Sequence, residues 1–514
     1  MMSIIKRNII ANFAGNLWTV LMSLAFIPLY IHFMGIEAYG LVGIFATLQA
    51  MFGLLDMGLS PTMNREMARL SVLPDSAQTM RNLVRTLEII YWVVALFIGI
   101  IIIFAAPFIA YNWVRSGQLP PSTIQQAVII MGVVMAFQWP LSFYSGGLMG
   151  LQRQVLLNGI TVTMATLRGA GAVLILWLVS PSIQAFFTWQ IIISLLNTVA
   201  VAFYLWYSLP PSKTKATFQK EMLRDIWRFA AGMSGITLVV LLLTQLDKII
   251  LSRLLTLKMF GYYILAGVVA MSLTRIVGPV FSALYPRFTQ LVSLGNQEEL
   301  KHLYHRSSQL VSVLILPVAC TLSFFSYEIL LLWSQNPITV DNTHFLVSIL
   351  VVGTALNGLL HMPWALQLAN GWTTLYFYAI SIESVLLVPL TILLATHYGA
   401  VGGASVWVIL NAFSIFFVIP VMHRRLLLGE MWRWYGEDVS LPLLAALSTA
   451  GLARILFIEP MTQPKILFML FTVFLLTFGI TLLATTMTRE WMLKKIAECN
   501  KLNCELLKLK TSLK

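Results

Sequence analysis

Apolar runs of roughly 20 residues recur along this chain, separated by short polar segments, and no other feature constrains its fold as strongly. A helix of that length crosses the ~30 Å of hydrocarbon in a bilayer, whereas a soluble core helix needs only one apolar stripe. The runs show no period-2 alternation, so the spans are helices and not the strands of a membrane barrel. Backbone amides inside hydrocarbon have no water to bind, and a helix satisfies them within one segment. Composition agrees: 59% of the 514 residues are hydrophobic and 10% are charged. A soluble chain carries about a quarter charged residues to cover its surface. The expected fold class is an all-α polytopic membrane protein without a large soluble domain.

Hydropathy places about fourteen transmembrane helices, at roughly 10–33, 38–58, 86–111, 124–148, 156–180, 184–208, 229–253, 260–285, 305–333, 344–369, 373–397, 401–423, 440–459 and 465–487. With the amino terminus inside, twenty-five basic residues fall in inside segments and only four, Arg115, Arg253, Lys258 and Lys465, in outside ones. Excess Lys and Arg marks the cytoplasmic side, so both termini are expected in the cytoplasm of a bacterial inner-membrane protein. The net charge of +13 therefore reads as topology and not as a nucleic-acid footprint. Lys6 and Arg7 precede the first run as in a signal peptide, but the run is too long and lacks a small-residue cleavage site; an uncleaved first span is expected. The tail interleaves Trp491, Leu493, Ile496 and Leu502 with lysines, as in a helix lying on anionic lipid.

Spans 1–6 and 7–12 read as two copies of one unit. A slide of 221 residues puts Gly40 on Gly261, and Asp56 and Gly58 close to Gly278-Pro279. Spans 4 and 10 each carry a central proline beside tryptophan, Trp139-Pro140 and Pro363-Trp364. Both then enter short inner turns, Gly150-Leu151-Gln152-Arg153 and Ala369-Asn370-Gly371. A six-span unit repeated in one orientation implies two pseudo-symmetric lobes about an axis along the membrane normal, with a cleft between them. The expected organisation is an N-lobe over 1–210, a C-lobe over 211–435, two further helices over 436–488 and a basic amphipathic tail over 489–514.

Several motifs carry a family resemblance: Asn12-Phe13-Ala14-Gly15-Asn16, Tyr39-Gly40, Gly150-Leu151-Gln152-Arg153, and Asp247-Lys248-Ile249-Ile250-Leu251-Ser252 followed by Gly261-Tyr262-Tyr263. Together they resemble the Wzx-type lipid-linked oligosaccharide flippases, polysaccharide biosynthesis transporters of the multidrug/oligosaccharidyl-lipid/polysaccharide superfamily. The resemblance covers spans 1–12. It implies a MATE-like fold and a cargo of undecaprenyl-diphosphate-linked oligosaccharide, such as an O-antigen or other surface polysaccharide repeat unit. Fourteen spans is the arrangement of the lipid II flippase branch, whose last two helices border a groove for the polyprenyl chain. Polysaccharide polymerase and assembly proteins are implied partners, together with membrane lipid.

Charges inside the spans are the candidate site. Arg168, Lys248, Arg275 and Arg454 lie within them, as do Asp56, Asp247 and Glu383. Each costs roughly 2.5–3.5 kcal/mol at a helix centre, so such residues face water, a partner or an anionic ligand. Asn158, Thr161, Ala165 and Ala172 share the face of Arg168; Met271, Gly278 and Ser282 share that of Arg275, beside which Gly278-Pro279 is expected to kink the helix and open its backbone. Lys248 shares a stripe with Thr237 and Thr244. Arg168, Arg275 and Lys248 are thus expected to form a cationic cavity for the diphosphate, with Lys248 alternatively snorkelling or pairing with Asp247. Arg454 is either a lipid-groove residue or a structural ion-pair partner. Glu383 either balances Arg168 or Arg275 or carries a coupling proton, and Asp56 is expected to make a structural or gating contact with a basic loop. Trp139, Tyr144, Trp364 and Tyr376 are candidates to stack on sugar rings, their alternative being ordinary packing. His361 is expected to be a hydrogen-bonded core residue.

Other chemistries lack their residues. No phosphate-binding glycine loop, nucleophile elbow or metal-ligand spacing is present, so no ATP, no nucleic acid, no metal and no covalent catalysis are expected. Cys320, Cys499 and Cys504 fit neither a zinc knuckle nor a redox pair. No cofactor is implied, and H+ or Na+ coupling stays open. The expected function is a flippase working by alternating access. The alternatives are a cation-coupled multidrug exporter of the same superfamily, against which the basic span residues argue, and a membrane glycosyltransferase or ligase, against which the short outer loops argue.

Overall fold

The computed structural model describes residues 4–56, 58–71, 73–212, 214–220, 244–457 and 463–486. Among these the elements are helical, and a single isolated backbone bridge joins Arg115 to Thr256. The first part of the expected seventh span, with Thr237, and the amphipathic tail lie outside the described residues. The chain divides into two compact units, Met1–Ile264 and Leu265–Lys514.

Unit 1 opens with α1 (Ile4–Ala25) and α2 (Ile27–Gly53), followed by a short helix α3 (Leu59–Leu70) and by α4 (Ala77–Phe108). Then come α5 (Pro121–Gln138), α6 (Leu141–Gly150), α7 (Gln154–Leu178) and α8 (Ile183–Ser208). Residues 244–254 are helical, and α9 (Leu257–Met271) runs on from unit 1 into unit 2. Unit 2 continues with α10 (Thr274–Ser293), α11 (Gln297–Phe324), α12 (Ser326–Ser334), α13 (Pro337–Leu359), α14 (His361–Ala369) and α15 (Thr373–Phe413). It closes with α16 (Ile419–Leu426), α17 (Leu441–Leu456) and α18 (Gln463–Ala484).

Eleven helices among the described residues are long and apolar enough to cross a membrane. Two of them run on through a glycine where hydropathy divides two spans. Gly35 in α2 has φ 83° and Gly399 in α15 has φ 59°, a region that a side chain disfavours. Each kink turns the chain without an intervening polar loop. Spans 4 and 10 break at equivalent places, α5 from α6 at Trp139-Pro140 and α13 from α14 at Leu360. The turns that follow share one hydrogen-bond pattern. Leu151, Gln152 and Arg153 donate to Gly147, Met149 and Leu148; Asn370, Gly371 and Trp372 donate to Leu366, Leu368 and Gln367. Gln152 (φ 59°) and Gly371 (φ 68°) both take the left-handed conformation.

The core of unit 1 is built by α3, α4, α6 and α8. Met63, Met67, Leu83, Leu87, Tyr91, Phe143, Leu148 and Leu205 are almost wholly buried there. Amphipathic α3 turns Leu59, Met63 and Met67 inward and leaves Arg65 and Arg69 exposed. At the far end of α4, Glu37 is 4% exposed and accepts bonds from the Ser116 hydroxyl (2.6 Å) and the Gly117 (2.7 Å) and Gln118 (3.1 Å) amides. The same loop reaches the turn before α9. Leu257 N–H donates to the Arg115 carbonyl (2.7 Å), and Trp113 Nε1 to Ser252 Oγ (3.0 Å). Here α2 and α9 cross with almost no separation, because a Cβ on Gly40 would stand 2.6 Å from the Leu257 carbonyl oxygen.

Candidate membrane transport site

Arg168 lies in the middle of α7, partly buried, and its one side-chain hydrogen bond among the described residues is to the Ser194 hydroxyl of α8, at 3.5 Å. Among the described residues no carboxylate lies within ion-pair distance of it. The face expected for it is bound elsewhere at its lower end, since Asn158 donates to Asn12 of α1 (2.5 Å) and to the Gln154 carbonyl (2.8 Å). Lys248 is turned back onto its own helix, donating to the Thr244 carbonyl (2.6 Å) with Asp247 3.5 Å away. Asp247 also accepts the Tyr263 hydroxyl (2.7 Å). Of the readings open for Lys248, local pairing is therefore the one seen.

Asp56 ends the helical segment after α2 and meets hydroxyls, not a basic loop. It accepts from Ser60 Oγ (2.5 Å), Tyr91 Oη (2.5 Å) and Ser142 Oγ (3.2 Å), and it caps α3 through the Ser60 amide (3.3 Å). Trp139 packs on Tyr91 with ring centroids 4.5 Å apart and donates to the Phe52 carbonyl (3.1 Å). Tyr144 is 2% exposed, has Phe143 against it at 4.0 Å and donates to Glu88 (2.7 Å). That corrects its place among the sugar-stacking candidates: its ring has no open face. Glu88, which the sequence reading passed over, also accepts from Trp206 (3.2 Å) and pairs with Arg85 (2.8 Å).

In unit 2, Arg275 is exposed near the centre of the apolar stretch Leu257–Ser293 and has no ion pair or side-chain hydrogen bond among the described residues. The helix breaks at Ser272-Leu273, two residues before Arg275, and not at Gly278-Pro279 as expected. Pro279 stays inside α10, where its missing N–H leaves the Arg275 carbonyl without a helical donor. Glu383 on α15 is 7% exposed and accepts from Ser414, while Ser381 and Ser384 turn to their own backbone. Arg275 and Glu383 share unit 2 but form no ion pair.

Trp364 stacks on Tyr376 (4.3 Å, 21°) and meets Phe281 at 5.6 Å. His361 donates through Nδ1 to the Asn357 carbonyl (3.0 Å), the core role expected of it. Arg454 reaches Glu328 of α12 at 2.5 Å and lies over the Phe325 ring at 5.5 Å. It does not line the apolar cavity of about 360 Å³ beside it, which is formed by Phe457, Pro464, Lys465, Phe468, Met469 and Thr472. Arg454 pairs with Glu328, and Lys465 is the cation that lines the cavity. No local sequence signal pairs Arg454 with a residue 126 positions away.

The described helices, eleven of them long and apolar enough to cross a bilayer, define a multi-spanning membrane protein. Comparison with known proteins makes this particular. The chain belongs to the polysaccharide biosynthesis protein family, whose model matches residues 5–292. It is 21% identical to a Shigella flexneri protein provisionally named an O-antigen transporter, over 80% of this chain and 96% of that one. Its fold is that of the lipid II flippase MurJ in an inward closed conformation (TM-score 0.68, 13% identity, 92% of this chain and 97% of that one). It also matches an inward-facing multidrug resistance MATE transporter of the MOP superfamily (TM-score 0.63, 14% identity, 79% and 95%). The proteins it resembles are transporters and flippases, not enzymes.

Proposed function

We propose that this chain is a flippase that carries an oligosaccharide linked through diphosphate to a polyprenyl lipid, undecaprenyl in bacteria, from the cytoplasmic to the periplasmic leaflet of the inner membrane. A sugar diphosphate cannot cross ~30 Å of hydrocarbon unaided, because its charge would lose hydration with nothing in return. The observation that carries the reading is Arg275, exposed and without an ion pair in the middle of a span, joined by Arg168, which meets only a hydroxyl. A cation kept unpaired at that depth is retained for an anion that comes and goes. The apolar groove beside Lys465 has the chemistry to hold a prenyl tail next to a phosphate. Fourteen spans in two six-helix lobes plus a final pair, with both termini cytoplasmic, complete the proposal; the repeated turns after α6 and α14 support it.

The test is a deletion strain, in which the lipid-linked glycan should accumulate on the cytoplasmic side and surface polysaccharide should disappear. Arg168→Ala and Arg275→Ala should each fail to restore surface glycan although folded protein reaches the membrane, and the lysine variants should restore part of it. Normal export by both alanine variants would remove the cationic mechanism.

A further inference from the structure

We propose that the loop 113–118 is a clasp that closes the outer end of the transport path, anchored on Glu37 and released from the 252–257 turn when the path opens outward. The proposal rests on the flippase reading and on its orientation. The two edges of the loop are held by different chemistry. On one edge the buried Glu37 carboxylate gathers the Ser116 hydroxyl and two consecutive amides, Gly117 and Gln118, within 3.1 Å. Bonds to an ionised acceptor are roughly twice as strong as neutral ones, and breaking them would strand a buried charge.

The other edge is held by neutral groups and one long contact. Arg115 pairs its backbone with Thr256 and accepts the Leu257 amide at 2.7 Å. Trp113 Nε1 meets Ser252 Oγ at 3.0 Å, and Arg253 reaches the Trp113 carbonyl only at 3.4 Å. These groups can exchange the protein for water at the membrane surface with little loss. One edge anchors, and the other can let go.

The surfaces beneath the loop fit the same motion. Gly40 and Gly261 stand at equivalent places in the two halves of the repeat, and each lies against the other helix's backbone. A Cβ on Gly261 would stand 3.4 Å from the Gly40 nitrogen. The Leu257 and Ile264 side chains sit against Gly40 and Gly43, and the Ile36 carbonyl against Gly261, so the close approach rests on three bare glycine positions. The loop belongs to the first half of the repeat alone, yet it bridges the corresponding turns of both. That asymmetry is what a latch requires.

The experiment uses the full chain in cells, with Cys320, Cys499 and Cys504 replaced by serine, and introduces Arg115→Cys with Thr256→Cys. Paired backbones lie about 4.8 Å apart, within disulfide range. Oxidation should cut surface glycan at least tenfold and dithiothreitol should restore it; undiminished export in the oxidised state would overturn the clasp. A second arm does not depend on cargo or on that pair. Trp113→Phe with Ser252→Ala, carrying one cysteine at Ile264 below the crossing, should react several-fold faster with a membrane-impermeant maleimide than the same cysteine behind the intact loop. An unchanged rate would equally overturn the proposal. If the unmodified chain fails to restore glycan, the flippase reading falls, while the labelling arm still decides the clasp.

Discussion

At the scale of single residues, the charges within the spans fall into two groups. Asp247, Glu88, Glu328, Lys248 and Arg454 each have an opposite charge within 3.5 Å, and Asp56 is held by three hydroxyls. Arg168 and Arg275 have no ion pair among the described residues, and Arg168 has one hydroxyl at 3.5 Å. The first group carries structure, and Arg454→Ala shows the cost: it strips Glu328 of its cation and should lower stability by about 1–3 kcal/mol. Thermal melting in detergent measures this, and Arg454→Met with Glu328→Met together should recover most of the loss. Glu383 stands between the groups, buried, bonded to Ser414 and without an ion pair among the described residues. If it carries a coupling proton, Glu383→Gln should still bind lipid-linked glycan yet ignore an imposed pH gradient in proteoliposomes. A full response by that variant would leave Glu383 a structural group.

At the scale of elements, the contacts between helices decide more than the helices themselves. The crossing of α2 and α9 has no room for a side chain, so Gly40→Ala drives a methyl into a backbone oxygen that cannot rotate away. Overpacking of this kind costs about 1–3 kcal/mol, and folded yield and melting temperature should both fall. A second element-level contact ties α11 to the segment before α17. His305 lies between Asp438 (2.6 Å) and Glu430 (3.2 Å), and Lys301 reaches Glu430 at 3.4 Å. Burial pushes the Glu430 carboxyl up, but the charges and hydrogen bonds of His305 and Lys301 together hold it below its usual range. A depressed carboxylate stabilises the fold above its unfolded pKa, and that stability is lost as pH falls through the folded value. Melting measured from neutral pH downward should therefore fall more steeply for this chain than for Glu430→Gln.

At the scale of the whole molecule, orientation ties the residues to a direction of transport. Impermeant cysteine labelling should reach the loop around Arg115 from the periplasm and residues 209–220 only from the cytoplasm. Labelling of residues 209–220 from outside would invert the topology and, with it, the direction of flipping. Two glycines shape the molecule at this scale. Gly35 and Gly399 leave the helical conformation, so α2 and α15 each consist of two helical stretches joined at a kink, where hydropathy also divides two apolar stretches.

By itself the sequence determined that the chain lives in lipid and that its elements are helices. Those conclusions rest on the length and composition of local segments, which need no partner to be read. The family resemblance over spans 1–12 belongs with them, because each of its motifs is contiguous. Tertiary structure decided which charges are spent and which are free. Glu328 and Arg454, Glu88 and Tyr144, and Glu37 and Gly117 are joined across 50 residues or more. Such pairings depend on how helices rotate and cross, which apolar periodicity in a lipid-facing helix encodes only weakly, since lipid and neighbouring helix are equally apolar solvents. Tyr144 looked available as a stacking surface for that reason, and only its burial against Phe143 removed it. The break before Arg275 was likewise hidden: Gly278-Pro279 advertised a kink, but α10 absorbs both residues and the helix parts at Ser272-Leu273, where no local sequence signal marks it.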